Sequence, residues 1–105
     1  MKPLPQTPEL LAAAERVVWF QTPTETLANP IHFLAHVMTF GTIEDLRALE
    51  GVVNLDDYRE ALENAPAGIF DARSWAYWNL ICDREPAPPM PVRRVLKTSF
   101  GNLNT

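Results

Sequence analysis

Two histidines, His32 and His36, stand four residues apart, a spacing that brings two imidazoles to one side of a helix and lets them share a metal ion. Zinc would need a third protein ligand, and no acidic residue follows at a usable position on that helix. The pair therefore reads as two solvent-facing side chains, opposite Phe33, Leu34 and Val37. The carboxylate pairs Glu44–Asp45 and Asp56–Asp57 have the composition for acid–base chemistry or magnesium. Neighbouring positions on a helix point about 100° apart, which is poor geometry for a shared proton. Each pair also falls in the first turn of an expected helix, where negative charge complements unpaired amide groups. Cys82 lies in an apolar helix with Arg84 as its nearest cation and reads as an inert, buried thiol. The four glycines build no phosphate-binding loop, and no serine sits in a nucleophile elbow. The expectation is a chain that is not an enzyme, with no catalytic residue, no metal and no cofactor.

Binding chemistry is better represented. The segment Asp71–Cys82 holds two of the three tryptophans, and a wheel places Ala72, Trp75, Ala76, Asn79 and Cys82 on one side. Tyr77, Trp78, Leu80 and Ile81 spread over the rest. A helix apolar nearly all round is either central to a core or half covered and awaiting a partner. Small domains bury a lesser share of their surface, and tryptophan and tyrosine dominate binding hot spots. Trp75 is thus expected in the core, with Tyr77, Trp78 and Ile81 as anchors for a protein partner. Beyond it, Pro88-Pro89-Met90-Pro91-Val92-Arg93 matches a proline-rich ligand followed by a basic residue. Arg93, Arg94 and Lys97 would add charge contacts, carried on a stiff polyproline II spacer.

Charge supports that division. All thirteen acidic residues lie at or before Glu85 with six basic ones, a net charge of −7, whereas the remainder carries +3. An acidic body repels phosphate at long range, so nucleic acid is not the expected partner. The single cysteine excludes an internal disulfide, the proline-rich start does not resemble a secretory signal, and no run is apolar enough to span a bilayer. A cytoplasmic protein without a membrane partner is expected.

These residues are positioned by a repeated local grammar: a capping residue, often proline next, then apolar residues three and four apart. Thr7-Pro8-Glu9 opens a helix facing inward with Leu10, Leu11, Ala14, Val17 and Val18. Thr22-Pro23 starts a short one, and Asn29-Pro30 caps a third carrying Phe33, Leu34, Val37 and Met38. Thr42 with Asp45 begins a fourth, with Ile43, Leu46 and Leu49 inward. Asn54 begins a fifth, with Leu55, Tyr58, Ala61 and Leu62 on one side; Asp71 caps the last. Strand signals are nearly absent. The chain is predicted to be all-α: a compact bundle of five to six short helices over 1–85, with an extended, basic, proline-rich tail over 86–105.

Trp19-Phe20, Leu27, Phe33-Leu34, Val37-Met38, Gly41-Thr42 with Glu44-Asp45-Leu46, and Phe70-Asp71 with Ser74-Trp75 and Trp78 form a pattern over roughly residues 19–80. It resembles a family of short bacterial proteins encoded beside nucleotidyltransferase-like toxins of the abortive-infection type and taken as their antitoxin halves. The resemblance implies an all-α protein that binds and neutralises a toxin. The tail after Glu85 is longer than in that pattern, and the family's tyrosine–glycine pair is not evident between Gly51 and Tyr58. The alternatives are a small DNA-binding regulator, using residues 43–50 and 55–64 as a helix-turn-helix-like pair, and an enzyme using His32, His36 and the carboxylates; a homodimer through the tryptophan helix is also open.

Overall fold

Side chains placed just before the helices explain where the chain turns. The computed structural model describes residues 1–92 and contains α1 (Pro8–Val17), α2 (Pro23–Leu27), α3 (Pro30–Phe40), α4 (Ile43–Ala48), α5 (Leu55–Glu63) and α6 (Ala72–Ile81). Thr7 accepts from the Leu10 amide, and Asp71 from the Ser74 amide. Thr22 with Glu25, Thr42 with Asp45, and Asn54 with Asp57 each close a reciprocal capping box. Asn29 departs from expectation: its side chain makes no capping bond, and Pro30 at the first helical position is what marks the start of α3. Gly51 and Gly68 take left-handed backbone in the turns that follow α4 and α5. Among the described residues no strand element forms, and no helix is long and apolar enough to cross a membrane.

The centre of the bundle is α3, which touches α1, α2, α5 and α6. Six consecutive residues, Phe33 to Met38, are buried, so neighbours enclose this helix on every side at that level. The expectation that His32 and His36 face solvent is therefore corrected. His36 is buried and His32 partly so, because Phe20, just past α1, packs against both rings. Leu10, Ala13, Ala14 and Val18 of the first helical segment, Leu27, Leu49, and Ala61 with Leu62 complete the core. Ile43 and Leu55, expected inward, are exposed. Each is the first residue of its helix, and Leu49 and the Ala61–Leu62 pair, further along, meet the core instead.

The end of α6 is closed by backbone and side chain together. The Asp83 amide donates to the Leu80 carbonyl, and the Arg84 amide reaches back to the Asn79 carbonyl at 2.8 Å. This two-bond closure requires a left-handed residue between them, and Asp83 supplies it with φ of 61°. The Arg84 guanidinium also donates to the Asn79 side chain, while Arg59 of α5 donates twice to the Cys82 carbonyl at 3.0 and 3.2 Å. Glycine adopts that backbone without the Cβ clash that aspartate suffers. Asp83→Gly is therefore expected to stabilise the fold by about 1 kcal/mol, read as a higher urea midpoint at unchanged slope.

Candidate functional site

α6 divides sharply into a sealed side and a bare one. Trp75, Trp78, Asn79 and Cys82 point inward; Tyr77, Leu80 and Ile81 are 56%, 60% and 44% exposed. Trp78, expected as a surface anchor, is corrected to a core residue at 9% exposure. Its indole N–H donates to the Met38 carbonyl at 2.9 Å, and its ring stacks on Tyr58 with centroids 4.9 Å apart. A carbonyl at the end of α3, unpaired within its own helix, thus finds its donor in α6. Burial pushes the Tyr58 hydroxyl up to about 12, with the charge of Asp57 adding to the shift. Tyr58 therefore stays neutral in this stack. Burial likewise pushes the Cys82 thiol up, against the pull of Arg59 and Arg84, in keeping with an unreactive sulfur.

The proline run begins against the body rather than projecting from it. Trp75 donates its indole N–H to the Pro88 carbonyl at 2.7 Å, and Met90 packs on the core. Arg93, Arg94 and Lys97 lie outside the described residues. Of the expected anchors, then, Tyr77 and Ile81 share the bare side of α6, with Leu80 joining them.

Beside this face is a hollow of about 260 Å³ between α6 and the junction of α3 with α4. Val37, Met38, Gly41 and Leu46 give it apolar walls; Tyr77 and Arg73 line the α6 side, together with Ser74 and the edge of Trp78. A Cβ on Gly41 would stand 2.6 Å from the Val37 carbonyl oxygen, so the turn that shapes this hollow tolerates no larger residue without shifting.

A second aromatic region was not legible as a unit. Trp19 and Phe20, just past α1, and Phe40, at the end of α3, are 79%, 54% and 62% exposed. Two hollows of about 490 and 440 Å³ share Phe20, His36 and Phe40. The rings of His32 and His36 lie 4.4 Å apart, with Phe20 over both. His36 Nδ1 bonds the His32 carbonyl at 2.9 Å, whereas His32 Nδ1 is buried with no partner among the described residues. At the other end Arg16 donates to Asp45, a buried carboxylate that also accepts from the Thr42 amide at 2.9 Å. The cap expected of Asp45 is present, but its pairing with a residue 29 positions earlier is information no local pattern carries. Among the described residues no three histidine, cysteine, aspartate or glutamate side chains converge to hold a metal ion.

Burial, and after it the charge of a protonated His36, lowers His32 from the ordinary histidine value of 6.5. The unfolded chain then binds a proton more readily than the folded one. The resulting stabilisation is present above pH about 6.5 and is lost as pH falls through the lower folded value. Unfolding free energy should consequently drop on acidification below pH 6.5, and His32→Gln should flatten that slope in urea titrations at pH 7.5, 6.0 and 5.0. An unchanged slope in the variant would assign the pH dependence to other groups.

Comparison with known proteins gives no match: no protein-family model fits the chain, and no curated protein and no solved structure is significantly similar to it.

Proposed function

We propose that this chain is a non-catalytic partner-binding domain that docks a protein through the bare side of α6. In the setting implied by its resemblance to toxin-associated proteins, the partner is a nucleotidyltransferase-type toxin, which the chain neutralises. The observation carrying this is the contiguous exposure of Tyr77, Leu80 and Ile81 on a helix whose opposite side is sealed by Trp75 and Trp78. Adjacent exposed apolar side chains on a structured helix mark interaction surfaces, and an aromatic among them is the commonest source of affinity. The DNA-binding alternative draws no comparable support. α5 exposes Asp56 and Glu63, and its one basic residue, Arg59, is engaged by Asp56 and the Cys82 carbonyl.

Co-expression with the product of the neighbouring gene, followed by size-exclusion chromatography, tests this. The two should elute together, and a Tyr77→Ala, Leu80→Ala double variant should weaken the complex at least about tenfold, as loss of roughly 1.4 kcal/mol would. Separate elution of the unaltered proteins would remove the proposal.

A further inference from the structure

Resting on that reading of α6, we infer that the hollow beside Tyr77 receives one large apolar side chain of the partner, with a partner carboxylate held by Arg73 at its rim. Three observations lead there. At about 260 Å³ the hollow falls short of the ~300–1,000 Å³ that drug-sized ligands occupy, which suits it to a single side chain. Its lining away from α6, formed by Val37, Met38, Gly41 and Leu46, offers apolar contact and no charged group. Arg73 lines the opening and makes no salt bridge among the described residues, and it is the one charged residue on α6.

The local charge runs against that of the rest of the body. Residues 1–85 carry a net −7, which favours a basic partner at long range, yet the rim of this hollow presents a cation. Asp71, two residues before Arg73, accepts from the Ser74 amide; Ser74, and after it the Arg73 charge, holds its carboxyl below the usual value, yet the two charges form no salt bridge among the described residues. A partner surface that is basic overall, but sets a carboxylate next to its apolar knob, would satisfy both fields at once. Such an arrangement fixes orientation, because an apolar knob alone can enter at any rotation whereas a paired charge cannot. Gly41 lies in that lining, at a turn where a Cβ would stand 2.6 Å from the Val37 carbonyl oxygen.

The test uses the whole chain and the co-expressed product of the neighbouring gene, with affinity measured by calorimetry and folding checked by circular dichroism. Ser74→Trp keeps the backbone amide that Asp71 caps but fills the hollow, and should weaken binding by 100-fold or more, about 2.7 kcal/mol. Arg73→Glu should weaken it about tenfold and more strongly at low salt, while Arg73→Lys should retain most of the affinity. Unaltered binding by both Ser74→Trp and Arg73→Glu, alongside loss in Tyr77→Ala, Leu80→Ala, would overturn the inference and leave the α6 surface standing. If the unaltered proteins do not associate, the α6 proposal itself fails and this one with it. A chain that instead self-associates through the hollow, with dimerisation abolished by Ser74→Trp, would also overturn it.

Discussion

Trp78→Ala should leave the protein barely folded, whereas Tyr77→Ala, one residue earlier, should leave stability almost untouched. Truncating a buried tryptophan typically costs about 3–5 kcal/mol, and a domain of this size has roughly 5–13 kcal/mol in total. Here the loss includes the stack on Tyr58 and strands the Met38 carbonyl that the indole N–H satisfies. A fall in melting temperature of about 12 °C or more is expected, at 4–8 °C per kcal/mol for a small domain. Tyr77 is 56% exposed, meets Trp78 only edge-on, and its removal should change stability by no more than about 0.5 kcal/mol. Urea unfolding of the two variants side by side decides the matter. Equal losses would mean that the two rings have been assigned to the wrong sides of α6.

Asp45→Ala should be the most damaging change on the surface-facing rim of the bundle. Asp45 is 2% exposed and carries two separate duties: it reciprocates the Thr42 cap that starts α4, and it receives the Arg16 guanidinium from α1. Loss of a helix-capping group costs about 1 kcal/mol, and hydrogen bonds to charged groups contribute about 1.5–3 kcal/mol. A total of about 2–4 kcal/mol is expected, reported by the denaturant midpoint. Asp45→Asn retains an acceptor for Thr42 and should lose less. Arg16→Met should also destabilise, since it leaves a buried carboxylate without its cation. A double-mutant cycle over Arg16 and Asp45 with a coupling near zero would show that the cap alone matters.

The helices were readable in the sequence because their start signals are local. Thr22-Pro23, Thr42 with Asp45, and Asn54 with Asp57 hold cap and partner within three residues, and all three act as capping boxes. The all-helical class followed from this. Which side of each helix is covered did not follow, because a wheel fixes angles between residues but not the direction of the neighbours. On α6 Trp78 was expected apart from Trp75, although three steps of 100° put the two within about 60° of each other, on the side that is buried; Ala72 and Ala76, expected beside Trp75, are exposed. The Trp78 indole N–H also meets the Met38 carbonyl, 40 residues earlier, a partner that no local pattern names. His36 is buried for a related reason: Phe20, from just past α1, packs against its ring, a contact that no spacing within α3 announces. The candidate surface was legible in part. Tyr77 and Ile81 are exposed together as expected, but the hollow next to them draws walls from α3 and α4 that no pattern within α6 could announce.

The enclosure of α3 carries a consequence for how this protein can change over time. A segment touched by four others leaves its fully buried residues little room, because enlarging Phe33, Leu34 or Ala35 pushes on a neighbour. Drift in such a segment must proceed by paired changes across contacts. The rings left outside it, at Trp19, Phe40 and Tyr77, are under no such restraint from the fold, so replacing them one at a time costs the fold little.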